Sequence, residues 1–249
     1  MKTDSSAYDT FAWVYNRHWG TQFTPRAVAV LDEVILPALS SDAAILDLCC
    51  GTGQLAAILS DRGYRVTGID GSEEMLKYAR DNAPETGFIH ADACEFSLPE
   101  TFDLVTSFFD SLNHVMTLEE LERVFRNVRS CLKPGGLFLF DFNLEAGYLD
   151  HWKGYNGIVE DDHVCVFPLE YDAQNRLARF DAVIFRLIEG CWYRSEVHLT
   201  QRAYTVDEVR AALERAGMAV TCLFAYDAAA GRQELSADSG RAFFLCRKA

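Results

Sequence analysis

The segment ILDLCCGTGQLA, residues 45–56, places an acid, two adjacent cysteines and a Gly-Thr-Gly turn close together in the chain. Three kinds of chemistry could use it: a thiol site, a phosphate cradle, or a backbone grip on another small cofactor. Neighbouring residues on a strand point to opposite faces, so Cys49 and Cys50 are poorly placed to bind one ion together. The eight cysteines of the chain form no C-x-x-C pair. The sequence therefore predicts reduced thiols and no metal site.

The glycine turn lets the backbone approach a ligand closely. A nucleoside-triphosphate loop needs G-x-x-x-x-G-K-[ST], and this turn has no lysine in that place. A dinucleotide site needs G-x-G-x-x-G or A, with an acid about 20 residues later. Gly51, Gly53, Ala56 and Asp70 nearly satisfy that pattern. The turn alone therefore leaves a nicotinamide-dependent oxidoreductase open as an alternative.

The composition predicts a folded domain with an acidic surface. Of 249 residues, 49% are hydrophobic, which is enough for a sizeable core. Lys and Arg total 23 against 37 Asp and Glu, so the net charge is −14 and a nucleic-acid partner is disfavoured. The start of the sequence resembles no signal peptide, and no run of about 18 apolar residues could span a bilayer. We expect a cytoplasmic protein with no membrane partner.

Short apolar runs alternate with amphipathic ones through the first half of the chain. Five strands are predicted, over residues 43–48, 64–70, 87–92, 102–109 and 137–142. Strands that alternate with helices predict a parallel sheet covered on both faces. Ligands bind beyond the carboxyl ends of such strands, and acids cluster at those ends here.

Aromatic residues recur at helical spacing near the N-terminus, at Tyr8, Phe11, Tyr15 and Trp19. This spacing predicts one face of a helix. Thr24 is suited to be an N-cap and Pro25 to be the first residue of a second helix, which continues to Leu39.

The alternation of strands and helices is interrupted between residues 156 and 203. Alternating patterns there predict three antiparallel strands, and Thr205 then opens a helix followed by a final strand pair. The predicted units are an N-terminal helical lid (1–40), a core (41–145 and 204–249) and an antiparallel β insertion that covers the substrate (146–203).

ILDLCCGTG resembles the first motif of the class I S-adenosylmethionine-dependent methyltransferases. The resemblance continues in order through residues 68–76, 91–93, 102–115 and 132–143. It implies an α/β, Rossmann-like, doubly wound, mostly parallel seven-stranded sheet with the antiparallel β insertion after strand 5. It also implies S-adenosyl-L-methionine as cofactor and methyl transfer by in-line displacement. The family often has glycine at the position of Cys49, and a small cysteine is compatible with it.

The resemblance assigns roles to individual cofactor-site residues. The backbone at Gly51 and Gly53 would pass the methionine part, and Asp70, followed by Gly71, would accept the ribose hydroxyls. Met75, Asp92 and Ala93 would surround the adenine, Phe108 would lie near the methyl group, and Tyr8 and Tyr15 would close over the sulfonium. The plainer alternatives are turn acids for Asp70 and Asp92, core packing for Met75 and an ordinary amphipathic helix for the aromatic residues.

Substrate residues are expected after the fourth strand and in the insertion. His114 is the candidate base, with Asp110 and Asn113 beside it; the plainer alternative is a loop histidine whose hydrogen bonds are satisfied within the protein. Arg202 and Tyr204 share strand parity and could face the acceptor, or lie on a solvated face. No Asn-Pro-Pro-Tyr signature is present, which argues against planar exocyclic amines as acceptors.

We interpret the chain as a small-molecule methyltransferase that acts as a monomer or homodimer. Three alternatives stay open at this point. They are an RNA-modifying methyltransferase, a nicotinamide-dependent oxidoreductase, and a cofactor-binding protein that has lost transfer activity.

Overall fold

The computed structural model describes residues 6–99 and 101–248. Outside the described residues lie residues 1–5 of the predicted lid (1–40) and residues 100 and 249 of the predicted core. The helices are α1 (Ala7–Val14), α2 (Gly20–Val34), α3 (Gln54–Asp61), α4 (Glu73–Asn82), α5 (Leu118–Cys131), α6 (Glu145–His151) and α7 (Val206–Arg215). The strands are β1 (Ala44–Leu48), β2 (Arg65–Asp70), β3 (Gly87–His90), β4 (Phe102–Ser107), β5 (Leu132–Asn143), β6 (Gly154–Glu160), β7 (His163–Asp172), β8 (Leu177–Ile188), β9 (Cys191–Arg202), β10 (Met218–Asp227), β11 (Gly231–Gln233) and β12 (Arg241–Lys248).

The main sheet has the order β11-β10-β12-β5-β4-β1-β2-β3. Strands β1 to β5 pair in parallel, whereas β12, β10 and β11 are antiparallel. The predicted α/β, largely parallel fold is confirmed. The described sheet has eight strands rather than seven, because the three-residue β11 folds back on the end of β10. Strand order reverses between β1 and β4, which opens a ligand crevice at their carboxyl ends.

Apolar side chains fill both sides of this sheet. Phe125 of α5 packs against Phe138 and Phe140 on one side. On the other side Leu31 of α2 and Leu59 of α3 belong to a second buried cluster. The sheet is therefore a rigid platform for the loops at its edge.

The second predicted helix begins earlier than expected. Residues Tyr15–Trp19 form a π-helical turn, and α2 continues from it at Gly20, so Pro25 lies inside the helix. Thr24 is buried and its hydroxyl donates to the Gly20 carbonyl, so it does not cap the helix. Pro25 has no N–H to donate to the carbonyl of Thr21, and Thr21 is exposed, so solvent can replace the missing donor.

The insertion is a separate antiparallel sheet with the order β6-β7-β8-β9. It has four strands where three were predicted, because a turn at residues 161–162 divides the first predicted strand into a hairpin. One face of this sheet carries Phe167, Phe180 and Val197, which pack with Phe11 of α1. The insertion and the N-terminal helix line one cavity together with the residues that follow β4.

Candidate active site

The turn after β1 has an unusual backbone. Cys49, Gly51 and Gly53 all have positive φ, at 60°, 54° and 80°. A side chain at Gly53 would lie 2.9 Å from the Ala79 backbone, and one at Gly51 would lie 3.3 Å from the Tyr15 ring. Close packing against the Ala79 backbone therefore requires glycine at Gly53, whereas at Gly51 the positive φ favours glycine and the Tyr15 ring leaves little room for a side chain.

Cys49 occupies the same left-handed region without the freedom of glycine. Such a conformation costs about 1–2 kcal/mol for an L-residue. We predict that Cys49→Gly is more stable than Cys49→Ala by about 0.5–1 kcal/mol, because glycine removes the strain but gains unfolded-state entropy. Thermal unfolding of the two variants measures this, since both lack the sulfur. Equal melting temperatures would show that the turn is unstrained.

The Asp70 carboxylate joins the loops after β1 and β2. One oxygen accepts from the backbone N–H of Gly51 at 2.8 Å, and the other accepts from Ser72 at 2.9 Å. Burial raises the pKa of this carboxyl, while the Ser72 and Gly51 hydrogen bonds oppose that change. Asp70 thus lies at the rim of the turn with both oxygens oriented by the backbone.

The residues predicted to surround an adenine lie in different environments. Met75 is buried in the cluster that includes Phe11 and Ala12 of α1. Asp92 is exposed, and its carboxylate accepts from the N–H of Cys94 at 2.6 Å, while Ala93 offers its carbonyl to Asn127. A side chain at Gly71 would meet open space. Met75 is therefore a packing contact of α1 in this structure.

A cavity of about 490 Å³ lies between α1, the end of β4 and the insertion. Five of the predicted residues line it: Tyr8, Tyr15, Phe108, Asp110 and His114. A smaller cavity of about 20 Å³ adjoins the glycine turn and shares Tyr15, Phe108 and Phe109 with the large one. These three rings lie between the turn and the large cavity.

His114 is oriented as a hydrogen-bond acceptor toward the large cavity. Its Nδ1 lies 2.9 Å from the Thr200 carbonyl, which can only accept, so Nδ1 carries the hydrogen. Its Nε2 therefore accepts from the Tyr8 hydroxyl at 2.8 Å and the Gln201 amide at 3.1 Å. Burial lowers the pKa of His114, although Asp110 and the Thr200 contact oppose this. The imidazole is thus kept neutral with its lone pair toward the cavity.

The Tyr8 hydroxyl cannot take the role of a base. Burial, then the nearby Asp110 carboxylate, raises the pKa of Tyr8 well above its usual value. The phenol therefore stays protonated and donates to His114. Of this pair, the imidazole is the proton acceptor.

A polar network forms another wall of the cavity. Arg241 donates to Asp110 at 2.6 Å and also to Asp141, and the Gln201 amide donates to the second Asp110 oxygen at 2.6 Å. The Tyr148 hydroxyl donates to the Gln201 carbonyl oxygen at 2.7 Å. Two carboxylates share one guanidinium, so this wall favours a cationic or hydrogen-donating ligand.

Comparison with known proteins identifies the family of this site. A model described as a methyltransferase domain matches residues 45–136. The chain is 30% identical over 210 residues to the putative methyltransferase YqeM of Bacillus subtilis, across 82% of this chain and 83% of that protein. The chain belongs to the S-adenosylmethionine-dependent methyltransferase family.

Two further comparisons agree with this family. A crystal structure of an S-adenosylmethionine-dependent methyltransferase from Clostridium acetobutylicum has a TM-score of 0.80 at 20% identity, covering 97% of this chain and 99% of that one. The dTDP-3-amino-3,4,6-trideoxy-alpha-D-glucopyranose N,N-dimethyltransferase of Streptomyces venezuelae is 27% identical over 183 residues, which cover 72% of this chain and 76% of that enzyme. The predicted family, enzyme class and cofactor are confirmed.

Three predicted substrate residues of the methyltransferase lie outside the cavity lining. Asn113 is fully buried and binds the backbone of Asn143 and Arg202. Arg202 donates to the Met116 carbonyl, and the Tyr204 hydroxyl donates to that of Val115. These side chains brace the loop that holds His114, so we do not carry a substrate role over to them.

The opposite face of β9 lines the cavity. Leu199 and Gln201 are on this face, one residue out of step with Arg202. The buried Val197 and Leu199 could have indicated this face in the sequence, and Gln201 would then have been the polar residue on it. Arg241 and Trp152 also line the cavity, and no pattern of spacing in the sequence indicated a role for either residue.

The surroundings of the buried Asp47 carboxyl indicate whether the turn after β1 could bind S-adenosylmethionine. Asp47 lines the small cavity beside Cys49 and Cys50, and its one described hydrogen bond is from the Thr106 hydroxyl at 2.9 Å. Burial raises its pKa to about 7, and no cation among the described residues offsets this. Burial likewise raises the pKa of both thiols, so neither is a nucleophile. An acid in need of a cation fits the ammonium group of S-adenosylmethionine.

The raised pKa of Asp47 makes a prediction about stability. The folded pKa lies above the unfolded value, so Asp47 destabilises the fold increasingly as pH rises from about 4 toward 7. A rise of about three pKa units means that ionised Asp47 destabilises the fold by roughly 4 kcal/mol. Asparagine in its place would leave an amide N–H unpaired, which costs about half as much. We expect Asp47→Asn to gain about 2 kcal/mol in urea unfolding at pH 8 and little at pH 4.5. An equal gain at both pH values would contradict this origin.

Proposed function

We propose that this methyltransferase transfers a methyl group to a small polar molecule held in the 490 Å³ cavity. The orientation of His114 is the main support for this proposal. Its neutral imidazole presents a lone pair to the large cavity, whose lining also includes Tyr15 and Phe108. A cavity of this size suits a small-molecule ligand.

The residues of the turn would hold the cofactor by complementary charge and shape. Asp70 would accept the ribose hydroxyls through its remaining lone pairs. Asp47 would face the ammonium group of the methionine part. The backbone at Gly51 would pass this part once Tyr15, which now packs on the turn, rotates away. Tyr8 and Tyr15 would then close over the sulfonium and exclude water.

Catalysis would need alignment more than chemical activation. When bound, S-adenosylmethionine would supply a methyl group on a positive sulfur, so that the acceptor's lone pair can bond to the methyl carbon while the carbon–sulfur bond breaks and the neutral thioether S-adenosylhomocysteine leaves. Asp110, oriented by Arg241 and Gln201, would hold the acceptor. His114 would take the acceptor's proton on Nε2 after the Tyr8 hydroxyl gives way.

An amine nitrogen is the acceptor that this wall favours. Asp110 and Asp141 share one guanidinium, which suits an ammonium that must lose a proton before it attacks. The relative from Streptomyces venezuelae is named for dimethylation of a nucleotide-linked amino sugar. An RNA acceptor is less compatible with a net charge of −14.

Methyl transfer can be tested with radiolabelled S-adenosylmethionine and a panel of acceptors. The panel should contain nucleotide-linked amino sugars, their hydroxyl analogues and short RNAs. We expect label on an amine and on neither the matched hydroxyl compound nor RNA. Label on RNA alone would overturn the proposal, and label on the hydroxyl analogue would overturn the choice of nitrogen.

A further inference from the structure

The side chain of Gln201 lies between the two groups that the proposed reaction would use. It is buried on the face of β9 that lines the cavity. Its amide nitrogen donates one hydrogen to Asp110 at 2.6 Å and the other to Nε2 of His114 at 3.1 Å. Both hydrogens of the amide are therefore used, one on the acid and one on the imidazole.

We propose that Gln201 is a positioning residue that keeps the His114 imidazole neutral beside the Asp110 carboxylate, and that Tyr148 fixes the orientation of the Gln201 amide. This assignment rests on the proposed function, in which His114 acts as the base. It adds the residue that keeps the acid and the base from pairing directly with each other.

The orientation of the Gln201 amide follows from its partners. Arg241 donates to the other oxygen of Asp110 at 2.6 Å, which favours the ionised carboxylate, and a carboxylate can only accept. The amide nitrogen must therefore face Asp110, and the amide oxygen must face away from it. The Tyr148 hydroxyl, on a side chain that is fully buried, donates to this oxygen at 2.7 Å. A reversed amide would place its oxygen against the carboxylate and lose these contacts.

Two adjacent residues of β9 determine where the imidazole carries its hydrogen. The Thr200 carbonyl accepts from Nδ1 of His114 at 2.9 Å, and Gln201 donates to Nε2. A proton on Nε2 would point at an N–H group instead of an acceptor, so the imidazolium form is disfavoured. The neutral form that remains is the one able to take a proton from an acceptor.

The charges near His114 explain why a base at this position needs such a neighbour. Tyr8 of α1 stays protonated, and Arg241 of β12 is shared by Asp110 and by Asp141 of β5. Burial lowers the pKa of His114, whereas Asp110 opposes this effect. A carboxylate paired directly with the imidazole would favour the protonated form, which cannot act as a base. The amide between them prevents this pairing.

A titration of His114 by nuclear magnetic resonance tests this role without any methyl transfer. Imidazole nitrogens labelled with nitrogen-15 report the tautomer and the pH midpoint, and His114→Asn identifies the signal among the six histidines. We expect the Nδ1–H tautomer in the wild type. In Gln201→Met, which has no N–H to donate, we expect the midpoint to rise by about one pH unit, the effect of one lost hydrogen bond. An unchanged midpoint in that variant, or an Nε2–H tautomer in the wild type, would overturn the proposal.

Tyr148→Phe tests the second half of the proposal, and it tests the same network if the methionine variant does not fold. Phenylalanine keeps the ring that stacks on Tyr171, with centroids 5.2 Å apart, and removes the hydroxyl. We expect a smaller rise of the His114 midpoint. Adding this change to Gln201→Met should produce no further rise, because Tyr148 acts through Gln201.

Tyr171→Phe is the matched control for Tyr148→Phe. Its hydroxyl donates to Glu145 instead of to Gln201, so the His114 midpoint should keep the wild-type value. A rise in this control equal to that in Tyr148→Phe would remove Tyr148 from the proposal. An additive rise in the double variant would do the same.

The kinetics separate a failure of this proposal from a failure of the proposed function. With the acceptor found in the panel, the decline of kcat/KM at low pH should move upward in Gln201→Met, by the same interval as the midpoint of His114. Affinity for S-adenosylmethionine should not change. A midpoint that moves while the kinetic profile does not would contradict His114 as the base and still support its positioning by Gln201.

Discussion

Replacing Asp70 by alanine should weaken the binding of S-adenosylmethionine at least a hundredfold. The carboxylate is oriented by two backbone N–H groups and would accept both ribose hydroxyls. Two hydrogen bonds to a charged acceptor contribute together about 3 kcal/mol or more, which corresponds to more than a hundredfold in Kd. Isothermal titration calorimetry measures this directly.

The control for Asp70 must separate lost contacts from a damaged loop. Asp81→Ala removes an exposed acid from α4 and should leave affinity unchanged. The Asp70→Ala variant should keep the circular dichroism spectrum of the wild type, because the carboxylate lies at the rim of the turn. Wild-type affinity in Asp70→Ala would remove the ribose contact from the proposed site.

Replacing His114 by asparagine should lower kcat about 10²- to 10⁴-fold, the usual contribution of a general base. The asparagine amide can still donate to the Thr200 carbonyl, as Nδ1 does now, but it has no basic nitrogen at the position of Nε2. Affinity for S-adenosylmethionine should stay close to that of the wild type. Steady-state kinetics with the acceptor found in the panel, together with calorimetry, measure both quantities.

The pH profile separates a base from a merely structural histidine. Burial lowers the pKa of His114 from 6.5, so the neutral form persists as pH falls through 6.5. We expect wild-type kcat/KM to stay level down to this region and to decline only at lower pH. The asparagine variant should lack that decline. Tyr8→Phe keeps the imidazole and should retain most of kcat, since Tyr8 stays protonated. A profile unchanged in the asparagine variant would exclude His114 as the base.

The cofactor motif could be read from the sequence because its parts are local. Cys49, Gly51 and Gly53 lie in one turn between β1 and α3, and Asp70 ends the adjacent strand. In a βαβ unit, short connections place such residues together whatever the rest of the chain does. Even here the sequence did not show that Gly53 is needed for the approach of α4, because that contact comes from packing.

The substrate side could not be predicted in the same way. Tyr8 and His114 are 106 positions apart, and Asp110 and Arg241 are 131 apart, so no spacing signals their contacts. The side chains of β9 that face the cavity depend on its register with β8. A shift of one residue exchanges the two faces of a strand. Arg202 was predicted to face the acceptor but lies on the face turned away from the cavity.

The sequence by itself determined the alternation of strands and helices, the methyltransferase family and the methyl donor, since each is encoded in neighbouring residues. The tertiary structure alone decided which histidine nitrogen faces the cavity, which carboxylates share Arg241, and which face of β9 lines the cavity. The physical reason is that such features arise where distant segments pack. Their free energy depends on burial and mutual orientation, which a linear pattern does not contain.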